Sequence, residues 1–185
     1  LEGAILVYLK KVGIVAPNKV RANRDLMGGN DKFAGAYVQD PQKGKHEWVY
    51  DLDITSMYPS IIMSLNISPE TKLGKLDSWD VEPFLKGVDR TYSIKDKNGK
   101  ESAKLTTSEF KNFLETHNVS ISSNGVLYTQ DRKGLIPTLL EKWFDDRVQF
   151  RKLAKKFADE GDKEKYAYFD RRQYIQKVVL NSLYG

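Results

Sequence analysis

In the run Trp48-Val-Tyr-Asp-Leu-Asp-Ile54, apolar and polar positions alternate. That alternation predicts a strand with Trp48, Tyr50, Leu52 and Ile54 on one face and Val49, Asp51 and Asp53 on the other. A tight turn and a helix follow. Pro59 suits the first helical turn, where its missing N–H costs nothing, and the Ser56 hydroxyl is placed to cap it. The helix is expected to carry Ile61, Ile62, Met63 and Leu65 and to end near Asn66.

Two longer helices are predicted at the C-terminal end, over 141–158 and 163–184. The polar run Asp159-Glu-Gly161-Asp-Lys163 separates them, with Gly161 as the turn. On the second helix Gln173, Lys177 and Asn181 fall four apart and form one polar stripe, while Ile175, Val178, Val179, Ser182 and Leu183 are expected to be buried. On the first helix Arg147, Arg151 and Lys155 are again four apart. Antiparallel packing would aim Arg147, Arg151, Lys177 and Asn181 into one cleft, and Arg forks with a Lys point charge suit a triphosphate. The same pattern also suits a hairpin whose charges only solvate its outer faces.

Shorter elements fill the middle. A hairpin is predicted over 91–106 around Asn98-Gly99, and a second over 119–129 at Asn124-Gly125. Thr106-x-x-Glu109 reads as a capping box before a short helix carrying Phe110, Phe113 and Leu114. At the N-terminal end, residues 1–11 read as a largely apolar helix closed by Gly13, and 20–31 as a polar linker.

Composition narrows the picture less. At 185 residues the length suggests about one domain, and the net charge of +5 is compatible with phosphate partners. With no cysteine there is no disulfide framework and no thiolate zinc site, and His46 and His117 stand too far from other ligands to argue for a metal. No apolar run approaches the roughly 20 residues that span a bilayer. Asp51 and Asp53 on one strand face could hold a hard cation such as Mg²⁺, or be two ordinary surface carboxylates.

The run Asp53-Ile-Thr-Ser56-Met-Tyr58-Pro59-Ser60-Ile61 resembles motif A of the family B DNA polymerases, and Lys177-Val-Val-Leu-Asn181-Ser182-Leu-Tyr184-Gly185 resembles motif B. Other elements are similar to that family's and come in its order: Phe33-Ala-Gly35-Ala36, Asn124-Gly125-Val-Leu-Tyr128, Gly134-Leu-Ile-Pro137, Arg147-x-x-x-Arg151 and Arg172. The continuation Asn66-Ile-Ser-Pro-Glu70-Thr71 resembles the T-even-like phage enzymes.

The resemblance implies an α+β fold, part of a polymerase palm (antiparallel sheet with helices) joined to an antiparallel two-helix fingers hairpin. It divides the chain into the tail of a preceding region and linker (1–32), palm with motif A (33–72), an insertion (73–120), a palm hairpin and approach to the fingers (121–140), and the fingers with motif B (141–185). It implies template-directed nucleotidyl transfer from a deoxynucleoside triphosphate to a primer 3′-hydroxyl. Two Mg²⁺ ions would serve the complete enzyme.

By the same resemblance, Asp53 is the catalytic carboxylate and, with the Ile54 carbonyl, a metal ligand. Ser56 and Met57 offer N–H groups to the phosphates, and Tyr58 is the sugar gate that excludes a 2′-hydroxyl. Arg147, Arg151, Lys177 and Asn181 bind nucleotide, while Tyr184 and Gly185 face the nascent base pair. Asp51 has no equivalent in the family pattern. The implied second carboxylate, in motif C, does not occur in this sequence, so the chain alone is expected to be inactive.

Implied partners are primer-template DNA, deoxynucleoside triphosphates, the remaining palm, thumb and exonuclease parts, and a sliding clamp reached through regions outside this sequence. No membrane partner is implied, and a phage origin would place the protein in the host cytoplasm. Two other readings of the same motifs are a protein-primed family B polymerase and a non-catalytic nucleotide- or nucleic-acid-binding remnant.

Overall fold

The computed structural model describes residues 2–15 and 37–184. The chain divides into two compact units, Leu1–Asp53 and Ile54–Gly185. The expectations for Leu1, for the linker over 20–31, for the Phe33-Ala-Gly35-Ala36 element and for Gly185 lie outside the described residues.

In the first unit, helix α1 (Glu2–Lys11) forms as the apolar run predicts and closes at Gly13, whose φ of +71° favours glycine over a residue with a Cβ. The strand expected over 48–54 does not form. Residues 37–53 carry no helix or strand, and Trp48, Tyr50 and Leu52 are 84–94% exposed. Alternation supplies only the faces of a strand; its backbone N–H and C=O groups need a neighbouring ladder, and none pairs with this run among the described residues. Trp48 also adopts φ 59°, which breaks an extended backbone.

The second unit holds the sheet and the long helices. Its elements are α2 (Met57–Ser64), β1 (Lys72–Leu76), α3 (Val81–Leu85), β2 (Thr91–Asp96), β3 (Glu101–Thr106), α4 (Thr107–Thr116), β4 (Val119–Ile121), β5 (Val126–Thr129), α5 (Leu135–Asp159) and α6 (Lys163–Ser182). The five strands pair antiparallel throughout in the order β3-β2-β1-β5-β4. This is the α+β class that the resemblance implies, with its sheet built from residues 72–129.

Both expected hairpins form, β2–β3 and β4–β5. Gly125 in the second has φ +80°, and a Cβ there would lie 2.7 Å from the Trp79 Cβ, so the turn and the packing both demand glycine. The capping box is complete: Thr106 Oγ1 accepts from the Glu109 N–H, and the Glu109 carboxylate accepts from the Thr106 N–H. It starts α4 so that Phe110, fully buried, packs on Leu76, Tyr92, Ile94 and Leu127 of the sheet. Trp79 and Phe84 close this aromatic core at 5.1 Å from each other. Burial of one such side chain stabilises by roughly 1.5–3 kcal/mol.

Helix α5 begins at Leu135, six residues before the predicted start, because Pro137 sits in its first turn, where a missing N–H is tolerated. Gly161, at φ +76°, turns the chain, and Asp162 caps α6 by accepting from the Lys165 N–H. The two helices pack along their lengths through Phe157 stacked on Phe169 at 5.5 Å and the Arg172 guanidinium 5.0 Å above the Phe150 ring. The face expected to be buried on α6 needs correction. Leu180 is buried, Gln173 is half-buried, and Ile175, Val178 and Ser182 are exposed. A single helical partner covers one stripe of about 100°, so apolar residues outside that stripe stay in solvent.

Candidate nucleotide-binding site

The N-terminal turn of α2 and the C-terminal end of α6 meet at one point. The Tyr58 ring stacks on Tyr184 with centroids 5.2 Å apart and planes 16° from parallel. The Tyr184 hydroxyl donates to Asn181 Oδ1 at 2.8 Å, which orients the Asn181 amide. Tyr58 remains 56% exposed, so the stack leaves part of its ring open. These three side chains come from the two runs that the sequence reading singled out, and the fold brings them together.

Ser56 stands at the N-cap of α2 but does not cap it with its side chain, contrary to expectation. Its backbone is left-handed, φ 50° and ψ 53°, whereas a capping hydroxyl needs the extended region. The first N–H groups of a helix have no intrahelical partner, so the turn through Ser56 and Met57 still presents donors beside Tyr58.

Asp53 ends the first unit and Ile54 opens the second. Both are exposed, as is Asp51. Mg²⁺ takes six oxygens, commonly one or two carboxylates with waters and substrate phosphates. Among the described residues no three metal-ligating side chains cluster.

Arg147 is half-buried on α5, and its Nε has no acceptor among the described residues. Burial pushes its guanidinium below the ordinary value, and the Arg151 charge one turn on adds to the effect. A desolvated cation with an unpaired donor is a place that favours an anion. Arg151 is exposed on the same helix, and Lys177 and Asn181 are exposed on α6.

Sequence reasoning missed what anchors α5. Asn66, buried and at φ 56°, donates through Nδ2 to the carbonyls of Thr129 (2.6 Å) and Arg132 (2.8 Å). Its Oδ1 accepts from the Gly134 N–H at 2.8 Å. Glu70 accepts from the Leu135 N–H at 2.5 Å and from the Ser68 hydroxyl at 2.7 Å. Partial burial pushes the Glu70 carboxyl up, but these donors and the Arg132 charge outweigh it and hold it below its ordinary value. A carboxylate at a helix N-terminus also meets the favourable end of the helix dipole. A Cβ on Gly134 would lie 2.6 Å from the Ser68 Cβ, so the approach requires glycine. The signal in the sequence was the closely spaced polar set Asn66, Ser68, Glu70 and Thr71 directly after an apolar helix, a pattern that needs partners elsewhere in the chain.

The model of DNA polymerase family B matches residues 1–185, and the chain belongs to that family. It is 28% identical over 172 residues to a DNA polymerase of Pyrococcus glycovorans, covering 92% of this chain and 17% of the relative. It is also 29% identical over 120 residues to the DNA-directed DNA polymerase of Escherichia phage RB69, covering 64% and 11%. The corresponding enzyme of Enterobacteria phage T4 is 30% identical over 132 residues, covering 71% and 12%. The chain therefore spans less than a fifth of the length of these relatives. No helix among the described residues is long and apolar enough to cross a membrane.

Proposed function

We propose that this chain contributes the incoming-nucleotide side of a DNA-directed DNA polymerase active site. The reaction is template-directed transfer of a nucleotidyl group to a primer 3′-hydroxyl with release of pyrophosphate. The observation that carries the reading is the Tyr58–Tyr184–Asn181 contact, which joins the motif A turn to the motif B helix.

In this reading Tyr58 presents its ring beneath the sugar and excludes a 2′-hydroxyl by lack of space. The N–H groups at Ser56 and Met57 meet the phosphates. Arg147, supported by Arg151, and Lys177 neutralise the triphosphate; Asn181 orients it, and Tyr184 and Gly185 border the nascent base pair. Asp53 and the Ile54 carbonyl would hold Mg²⁺, which when bound stabilises charge on the attacking and leaving oxygens. The protein's own share is positioning and electrostatics.

The domain boundaries drawn from the sequence, with palm over 33–72 and 121–140 and fingers over 141–185, belong to the same proposal. So does the T-even-like subtype. It is supported by Asn66-Ile-Ser-Pro-Glu70-Thr71, while archaeal and phage relatives match at similar identity. DNA, deoxynucleoside triphosphates and the rest of the polymerase are the partners. The test is primer extension by the intact protein with and without Asp53→Asn. Loss of nucleotide addition with duplex binding retained supports the reading, and undiminished single-turnover addition overturns it.

A further inference from the structure

Asn66 serves two helices at once. Its N–H donates to the Met63 carbonyl at 3.2 Å, and the Ile67 N–H donates to the Ile62 carbonyl at 2.9 Å. With Asn66 at φ 56°, these two bonds close α2 at a left-handed position that glycine and asparagine fill most readily. The Asn66 side chain then reaches the start of α5, where Oδ1 accepts from the Gly134 N–H at 2.8 Å. Gly134 is the N-cap of α5 and has no side chain with which to cap it. The caps come instead from the segment after α2: Asn66 on Gly134, Glu70 on the Leu135 N–H at 2.5 Å, and Ser68 Oγ on the Ile136 N–H at a longer 3.4 Å.

The capping segment is itself held in place. The Thr71 hydroxyl, fully buried, lies within hydrogen-bond reach of the Asn66 carbonyl at 2.6 Å and the Ser68 carbonyl at 2.9 Å. Arg132 donates to the Glu70 carbonyl at 3.0 Å, and Asn66 Nδ2 donates to the Thr129 and Arg132 carbonyls on the approach to α5. Pro137, Leu139 and Leu140 are buried just beyond the caps, but apolar contact has no direction. The hydrogen bonds therefore set the helix axis. Arg147 lies roughly 18 Å along α5 from Leu135, so a tilt of about 3° at the caps displaces it by about 1 Å.

We propose that Asn66 and Glu70 are positioning residues for nucleotide binding: they fix the angle between α2, which carries Tyr58, and α5, which carries Arg147. Ring and guanidinium are thereby held in register for the sugar and the triphosphate of one nucleotide. The inference rests on the polymerase reading for the roles of Tyr58 and Arg147. A displacement of about 1 Å in a binding group remote from the reacting atoms can lower a rate by about 100-fold.

The experiment measures nucleotide addition by the intact protein over a nucleotide series, giving kcat and KM, alongside duplex affinity. Asn66→Gly keeps the left-handed turn that ends α2 and removes the cap on α5. Glu70→Ala is compared with Glu70→Gln, which retains an acceptor oxygen. Val119→Ala, against the aromatic core and away from the caps, controls for lost stability. Asn66→Gly should raise the nucleotide KM by roughly 10- to 100-fold with duplex affinity unchanged. Glu70→Gln should recover most of what Glu70→Ala loses. In an Arg147→Ala background, Asn66→Gly should cost no more than about twofold, because the group it misplaces is already gone. Full additivity of the Asn66 and Arg147 losses overturns the proposal. So does an equal rise in KM for Val119→Ala at a matched fall in melting temperature, since general stability would then explain the effect. An unaltered KM in Asn66→Gly overturns it as well. Asp53→Asn tests the polymerase reading without touching the caps, so the two can fail separately.

Discussion

Tyr58 and Tyr184 stack at 5.2 Å, one from the first turn of α2 and the other from just beyond the end of α6. Two residues from nearly opposite ends of the second unit thereby share one contact surface. Such pairs contribute about 0.5–1.5 kcal/mol beyond their buried area. A double-mutant cycle with Tyr58→Ala and Tyr184→Ala, read by urea unfolding, should return a coupling in that range. In nucleotide competition, Tyr58→Ala should admit ribonucleotides by opening space beside C2′, with a smaller effect on deoxynucleotides. Unchanged sugar discrimination would leave the ring with a packing role only.

For Asp53, the expected outcome of Asn substitution is near-complete loss of single-turnover nucleotide addition with little change in duplex affinity. Duplex affinity comes from phosphate contacts spread over wide surfaces. Asp51→Asn should be milder. Rapid-quench kinetics on the two variants, at saturating DNA, separates them; equal losses would mean that both carboxylates act together.

Arg147→Ala and Lys177→Ala should each remove roughly 2–5 kcal/mol of transition-state stabilisation if the closed site excludes water. Asn181→Ala should lose less, and Lys155→Ala, exposed one turn beyond Arg151, almost nothing. The measurement is kcat/KM for the nucleotide alongside duplex affinity. A deficit confined to duplex affinity would reassign the helix pair as a DNA-binding surface.

The anchor of α5 predicts both a steric and a pH effect. Gly134→Ala places a methyl 2.6 Å from the Ser68 Cβ and should destabilise by about 1–3 kcal/mol, seen as a lower urea midpoint. Glu70 has a folded-state pKa below its ordinary 4.5, so its contribution is fully present above that pH. The contribution is lost as the pH falls through the folded value. Glu70→Gln should flatten the dependence of the urea midpoint on pH in this acid range, and an unaltered profile would show that other carboxylates set it.

What could be read from the chain itself were features fixed by near neighbours. The hairpins at Asn98-Gly99 and Asn124-Gly125, the Thr106–Glu109 capping box and the Gly161 turn depend on backbone preferences and hydrogen bonds within a few residues. The motifs holding Tyr58, Lys177, Asn181 and Tyr184 were equally legible, because their spacing is a property of order along the chain. Tertiary structure decided what local pattern leaves open. The run 48–54 alternates like a strand but has no ladder partner among the described residues. Ile175 and Val178 are apolar yet exposed, since one neighbouring helix covers only one stripe of α6. The Asn66–Gly134 bond and the Tyr58–Tyr184 stack join residues far apart in sequence. Such pairings follow from how α2, α5 and α6 pack, and no local preference encodes them.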